Sequence, residues 1–302
     1  MQLKRSYLIG MVVLASLAGC NLPDLFTSSG DGQSAQATED PGGGEAEPTR
    51  TPGIQLPTVQ VPSPTPGPTL SIVYTDDGKV WLKEGEAAPT QLSSDENVEQ
   101  VFISSDGLKV VYTRRNMQED PVELLSSNTD GSGKQQLLSS RKVKTLYPFN
   151  DSTFGFDIHQ ISFQPGTHEL YFNTTEIIQG GWRFENDDLV QINSDTGETN
   201  FLLDPGESGN FLFSPNGLEI VIITPEVINL VNADGTNFRH DLLKYPLVKT
   251  YSEFLYYAQP IWAVDSSKLA VALPSDDPLA QNLNGKTYII PLDGSLAREI
   301  GV

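Results

Sequence analysis

Asp157 and His159 stand two residues apart in FDIHQISF, an acid and an imidazole on one alternating, largely apolar stretch. Lining a cavity, such a pair could move protons; on a solvated strand it would not, and the solvated strand is the simpler expectation. His168 follows a turn sequence and His240 falls in an outer strand, so both are expected at the surface. No HExxH, no CxxC and no cluster of His and Cys offers a transition-metal site. Gly206-Glu207-Ser208-Gly209 lacks the GxSxG spacing of a nucleophile elbow, and no strand–elbow–helix pattern surrounds it. Asp195-Thr196-Gly197-Glu198 and Asp234-Gly235 read as hairpin turns, without the dense alternation of oxygen ligands that Ca²⁺ requires. The expectation is a chain with no catalytic residues, no metal and no cofactor.

The elements that would position these residues are short strands. QVFISSDGLKVVY (100–112), QISFQPGTHELYF (160–172), FLFSPNGLEIVII (211–223) and PIWAVDSSKLAVA (260–272) superimpose as strand, four- or five-residue turn, strand. The large apolar residues before each turn, Ile103, Phe163, Phe213 and Trp262, recur at intervals of 60, 50 and 49. A second hairpin follows each time: VELLSSNTDGSGKQQLL, LVQINSDTGETNFLL, INLVNADGTNFRHDLL and TYIIPLDGSLAREI. Its turn carries Asp-Gly or Asp-Thr-Gly, because such turns need positive φ, which Gly reaches freely and Asp tolerates. Four strands per unit near a 50-residue period, with no helical periodicity between, predict an all-β fold. It is a β-propeller of four-stranded antiparallel blades, about five in this chain, over residues 70–302.

The repeat, best matched at Phe213-Ser214-Pro215-Asn216-Gly217, resembles the TolB-type (WD-like) propeller repeat, also found in propellers of prolyl-oligopeptidase-like peptidases. Gln164-Pro165-Gly166-Thr167 and Val264-Asp265-Ser266-Ser267 depart from it. No stretch resembles the helical N-terminal domain of TolB or a peptidase domain. The resemblance implies fold rather than function, since its motif residues make turns and core. SIVYTDDGKVWLKEGEAAPTQL (71–92) supplies only three strands, the first of the usual four being absent. The chain stops at Glu299-Ile300-Gly301-Val302, just after an outer strand. Either a five-bladed ring closes in some other way or further blades are missing.

Five-bladed propellers also host glycoside hydrolases with paired carboxylates on inner strands. Glu99, Asp157 and Glu253 lie in or near such strands, so a hydrolase is the alternative to a binding module. Three acids converging on a central pocket would favour it. The formal net charge of −20 argues against nucleic acid as a partner and against anionic membrane surfaces. The one basic run, Arg141-Lys142-Val143-Lys144, is too short to reverse that.

In a propeller the turns joining strands one–two and three–four share one face, and here they are short. The opposite face would carry the long segments 114–121, 139–156, 174–188, 244–258 and 274–285. These hold Arg114, Arg115, Tyr147, Phe149, Trp182, Arg183, Tyr251, Tyr256 and Tyr257. Aromatic and Arg side chains concentrated on loops suggest recognition of a protein or glycan partner, with Trp182 the expected exposed anchor.

The N-terminus gives an address. Lys4 and Arg5 precede an apolar run from Tyr7 to Leu17, the layout of a secretory signal and too short to span a bilayer. Leu17-Ala18-Gly19-Cys20 resembles the bacterial lipoprotein box, which implies cleavage after residue 19 and a diacylglycerol on Cys20, the only cysteine. Residues 20–69 follow as a Pro/Gly/Ser/Thr-rich segment, with seven of the 21 prolines within 48–68. Such a composition predicts a disordered tether. The protein is therefore expected on the outer face of the cell membrane, or of an outer membrane where there is one. Two or three acyl chains hold firmly where one binds marginally. Cys20→Ser should leave the folded part intact and release the protein from membranes. Sedimentation with salt-washed membranes would be measured, and a variant that still pellets would refute the anchor.

Overall fold

The turn that opens each blade is built by its own side chains. In the computed structural model, Ser214 donates from Oγ to Asn216 Oδ1 (2.7 Å), which also accepts from Leu218 N (3.0 Å). Ser104 and Asp106 repeat the arrangement, with 2.6 Å from Ser104 Oγ and 3.0 Å from Leu108 N. Gly217 adopts φ +72°, and a Cβ there would lie 2.5 Å from the carbonyl oxygen of Pro165 in the preceding blade. The motif thus serves two purposes, reversing the chain and letting neighbouring blades approach. The structure describes residues 70–251, 254–275 and 285–301, with the side chains of 250–254 set aside. The leader, Cys20, the tether and Glu253 lie outside the described residues.

The first blade has three strands, β1 (Ser71–Asp76), β2 (Lys79–Glu84) and β3 (Thr90–Gln91). The second has four, β4 (Val98–Ile103), β5 (Lys109–Arg114), β6 (Glu123–Asn128) and β7 (Gln135–Leu138). A short helix α1 (Ser140–Lys144) leads to the third: β8 (Thr153–Phe163), β9 (Glu169–Ile178), β10 (Arg183–Glu185), β11 (Leu189–Asn193) and β12 (Thr199–Leu203). The fourth is β13 (Asn210–Phe213), β14 (Glu219–Ile223), β15 (Val227–Asn232) and β16 (Arg239–Lys244). A small hairpin, β17 (Lys249–Tyr251) with β18 (Phe254–Leu255), precedes the fifth blade. That blade is β19 (Ile261–Trp262), β20 (Lys268–Leu273), β21 (Lys286–Pro291) and β22 (Arg298–Gly301). Every pairing is antiparallel, and within each sheet consecutive strands neighbour one another, except in the third blade, where β8, β10 and β11 all pair with β9. This is the expected β-propeller architecture. Among the described residues no strand of the fifth blade pairs with the first, so β1 bonds to β2 along one edge only.

Blades cohere through apolar clusters shared two at a time. Val80, Val98, Val110 and Tyr112 join the first to the second; Val111, Leu124, Ile161 and Phe172 join the second to the third. Tyr171, Leu189, Phe211 and Ile220 join the third to the fourth, and Val221, Leu230, Leu269 and Val271 join the fourth to the fifth. The second strands of the three interior blades, β5, β9 and β14, are therefore covered on both faces, which is why VVY in β5 and IVII in β14 are unbroken apolar runs rather than alternating ones.

The third blade departs from the expected plan. Segments 139–156 and 174–188, read as loops in the sequence, contain regular structure: the first holds α1 and ends in strand at 153–156, and the second is strand over 174–178 and Arg183–Glu185. β8 and β9 pair beyond the blade to Thr153–Ile178, and β10 adds to the far half of β9. The result is a three-stranded ribbon projecting from the face that carries the long connections. A register shift between Ile158 and Ile161 marks where blade becomes ribbon. Asn173 fills it, accepting from Gln160 N (2.8 Å) and donating to Gly209 O (3.0 Å). Gln160 in turn accepts from Phe211 N (3.1 Å) and donates to Phe211 O (2.7 Å), so its amide mimics a strand partner for the next blade.

On the short-turn side a charged clamp joins blades two and three. His168 sits between Asp195 (Nδ1, 2.6 Å) and Asp106 (Nε2, 3.0 Å), and the buried Lys109 reaches Asp195 at 2.7 Å. The hydrogen bond to Asp195 raises the His168 pKa, burial opposes it, and the hydrogen bond to Asp106 and the charges of both carboxylates add to the rise. A raised folded-state pKa stabilises fully below the ordinary value of about 6.5 and loses its effect as pH climbs through the raised value. The melting-temperature gap between the protein and His168→Gln should therefore be wider near about pH 5.5 than near about pH 8.5. An unchanged gap would show that His168 contributes packing alone.

The ribbon hangs on Asp157, which has no exposure at all. Its Oδ2 meets Arg115 Nη1 at 3.0 Å and Arg183 Nη1 at 2.5 Å; its Oδ1 accepts from Val122 N (2.8 Å) and Ile158 N (3.0 Å). Removing one partner of a buried, hydrogen-bonded ion cluster costs about 3–5 kcal/mol. Asp157→Ala should lower the unfolding free energy by that order in denaturant titration, whereas a loss below about 0.5 kcal/mol would mean a surface-type pair.

Candidate site on the long-connection face

Two adjoining cavities open on the face from which the ribbon projects. The axial one, about 540 Å³, is lined by Gln100, His159, Gln160, Asn210 and Gln259 together with Phe102, Phe211, Leu212 and Tyr257. Its polar side chains are four amides, one imidazole and the tyrosine, and no carboxylate is among its described lining. The second, about 360 Å³, lies beside the ribbon, walled by Trp182, Phe184, Leu255, Pro225 and Tyr257, with Arg183, Glu185 and Asp187. Tyr257 borders both, and His159 Nε2 lies 3.4 Å from Glu185 Oε2 across the divide.

Local chemistry explains how the second cavity is held. Ile178 N bonds to Trp182 O (2.9 Å) and Gly181 N to Ile178 O (3.0 Å), closing the β9–β10 turn at Gly180 and Gly181. Trp182 is 58% exposed on that turn, and Phe184 is exposed one strand position beyond Arg183. The chain then passes through Asp187 at φ +48°, fixed on either side by Asn186 N to Thr174 O (3.0 Å) and Ser208 N to Asp187 O (2.6 Å). The next residue, Asp188, is buried and bonded by Thr174 N (2.7 Å) and by the Tyr147 hydroxyl (2.7 Å).

The acids here range from the fully buried Asp188 through the half-buried Asp187 to Glu185, whose side chain keeps 33% of its exposure. Burial first, then the neighbouring Glu185 and Asp188, lift Asp187 to about 6. Burial likewise raises Glu185, against the lowering effect of His159, and raises Asp188 despite its hydrogen bonds. Burial, then Asp187 and Glu185, hold the Tyr257 hydroxyl protonated well above its ordinary range.

The sequence-derived candidates divide among these surroundings. Trp182, Arg183 and Tyr257 come together at the second cavity. Phe149 is half exposed at 49% and lies tilted against Phe156, ring centroids 6.2 Å apart. Arg114 is committed to Asp95 and Glu123, both at 2.8 Å, and Arg115 to Glu99, Asp157 and the Asp120 carbonyl. Tyr147 turns inward, between Phe156 and Phe201. Tyr256 packs on Tyr245, its hydroxyl 3.3 Å from Ala272 O. The side chain of Tyr251 lies outside those described.

Of the acids considered for hydrolysis, Asp157 is spent on two arginines, Glu99 is held by Arg115 at 2.7 Å, and Glu253 lies outside the described residues. His159 does not meet Asp157 but faces Glu185. Phe184, Glu185 and Asp187 escaped the sequence reading; their signal was the alternation WRFEND after a Gly-Gly turn. Among the described residues, no group of three or more His, Cys, Asp or Glu is placed to hold a metal ion.

No protein-family model matches the chain, and no curated protein matches it by sequence. Among solved structures it is similar to a putative TolB from Agrobacterium tumefaciens, at 13% identity over 76% of each chain with a TM-score of 0.45. It is also similar to an oligogalacturonate lyase from Vibrio parahaemolyticus, at 16% identity, 77% of this chain and a TM-score of 0.49. The propeller domain of the trilobed protease from Pyrococcus furiosus, described as having an open velcro topology, stands at 12% identity, 77% coverage and 0.46. The chain spans 61% of the Vibrio lyase and 58% of another oligogalacturonate lyase, one bound to manganese. At these identities the likeness is one of fold.

Proposed function

We propose that this protein is an exported, lipid-anchored β-propeller that binds a protein or glycan partner on its long-connection face and carries out no reaction of its own. One observation carries the reading: Trp182 is presented, 58% exposed, on a ribbon that a buried ion cluster fastens to the blades. An exposed large aromatic on a hydrogen-bonded hairpin turn is an unfavourable way to meet water and a favourable way to meet a partner, because little side-chain entropy is lost on binding. Arg183 braces the ribbon from beneath, and Tyr257 supplies the opposite wall. The hydrolase alternative needs two convergent, free inner-strand carboxylates, and neither Glu99 nor Asp157 has its charge free.

Affinity capture with the full-length protein from cell-envelope extracts tests the face. Trp182→Ala should weaken recovery of the specific partner by about tenfold or more, the scale of an aromatic hot spot. Leu218→Ser, on an exposed turn of the opposite face, should leave it unchanged. Loss of capture in the Leu218 variant with retention in the Trp182 variant would place binding on the wrong side of the propeller.

A further inference from the structure

The cavity beside Trp182 combines features that select one ligand chemistry. Its walls are aromatic and aliphatic: Trp182, Phe184, Leu255, Pro225 and Tyr257. Its charged groups are Glu185, Asp187 and Arg183, and among the described residues no cation pairs with the first two beyond the histidine noted above. Arg183 places its guanidinium on the fully buried Asp157 at 2.5 Å. Among the described residues Glu185 has only His159, at 3.4 Å. Asp187 has no side-chain hydrogen bond or ion pair among the described residues, although backbone bonds on both sides fix its position.

The contrast with the other acids is informative. Asp106, Asp130, Asp234, Asp265 and Asp293 each accept a backbone N–H two residues on, within their own turns. Those carboxylates build turns. Asp187 builds nothing of that kind and instead borders an apolar cavity with Glu185 beside it. A carboxylate partly withdrawn from water and left without a counter-charge is unfavourable, and a ligand that brings a cation removes the deficit.

Aromatic faces add to the selection, since Trp and Tyr attract an ammonium or guanidinium through the ring quadrupole. A neutral sugar could stack on Trp182 yet would leave both carboxylates unmatched, and an anionic ligand would be repelled. The net charge of −20 acts in the same direction at longer range, drawing basic partners and repelling acidic ones.

We infer that the cavity beside Trp182 receives a cationic side chain, lysine or arginine, of a protein partner, between Trp182 and Tyr257 and against Asp187 and Glu185. The inference rests on the long-connection face being the binding face. It narrows the partner to a protein presenting a basic residue.

The Trp182 indole N–H resonance of the full-length protein, assigned by its disappearance in Trp182→Phe, reports occupancy directly. Three probes are titrated: an acetylated, amidated Gly-Gly-Lys-Gly-Gly peptide, its arginine counterpart, and the isosteric peptide with norleucine at the central position. The lysine or arginine peptide should shift the resonance saturably, with the norleucine peptide at least tenfold weaker. Asp187→Asn keeps a residue that tolerates positive φ and so preserves the loop; it should weaken the cationic peptide at least tenfold and leave the norleucine peptide unchanged. Equal binding of norleucine and lysine peptides, or an Asp187→Asn protein that binds the cation as well as the parent, overturns the inference. A neutral oligosaccharide that shifts the resonance while neither cationic peptide does so overturns it too, but leaves the binding face standing. If instead partner capture is indifferent to Trp182→Ala, the face itself is wrong, whatever the peptides do.

Discussion

The carboxylate of Asp157 is the point on which the distinctive part of this structure depends. A propeller blade needs no charge in its interior, and an unpaired one there would be prohibitive. Here the charge is matched by two guanidiniums that come from different places. Arg115 arrives from the connection after β5, and Arg183 from the first residue of β10. Each lone pair of Asp157 is spoken for, including those that receive Val122 N and Ile158 N. The cluster therefore ties together an inner strand, a neighbouring blade and the projecting ribbon. Isolated hydrophobic contact would allow the ribbon to slide, because apolar packing is non-directional, whereas two charged hydrogen bonds converging on one carboxylate oxygen set its register.

That fastening decides where recognition chemistry can sit. Binding groups on loops are adaptable but lose entropy when ordered. The ribbon substitutes strand for loop, so Phe184 and Glu185 occupy fixed positions along a hydrogen-bonded ladder with Glu176 and Thr175, and Trp182 sits at the turn that closes it, its carbonyl accepting from Ile178 N. On the other side of the cavity, Tyr257 follows the small β17–β18 hairpin and is held by packing with the fifth blade's cluster. A site assembled from the third blade, the β14–β15 turn at Pro225 and the entry to the fifth blade depends on the angular spacing of blades, which the shared apolar clusters hold constant.

The repeated hairpins were legible because their signals are local. Ser-Asp-Gly and Ser-Pro-Asn-Gly state their own turn geometry, and apolar runs such as VVY and IVII state that both faces are covered. The three-stranded first blade was equally plain, since a missing strand is a missing alternation. The ribbon was not. Thr153–Ile158 contains Gly155 and Asp157, and 174–188 is interrupted by Gly180 and Gly181, so each reads as an excursion. Only their mutual pairing makes them strands, and pairing between distant segments is invisible to periodicity. The fate of the arginines was hidden for the same reason. Whether Arg115 or Arg183 faces a partner or a carboxylate depends on where residue 157 lies, 42 and 26 positions away. Trp182 could be singled out because a bulky aromatic after two glycines has few neighbours to bury it.

Cohesion by clusters that each span two consecutive blades makes the molecule a stack of nearest-neighbour contacts, and stability in such stacks is distributed unevenly. An interior blade is held from two sides. The first blade has three strands, one flanking cluster and an edge of β1 with no ladder partner among the described residues. Local opening should therefore begin there, and amide protons of β1–β3 should exchange with solvent ahead of those in β9 or β14, which are buried on both faces. Such opening dissolves a single interface. The ribbon, its ion cluster and the cavity beside Trp182 belong to later blades, so the molecule can breathe at one end while its recognition surface keeps its shape.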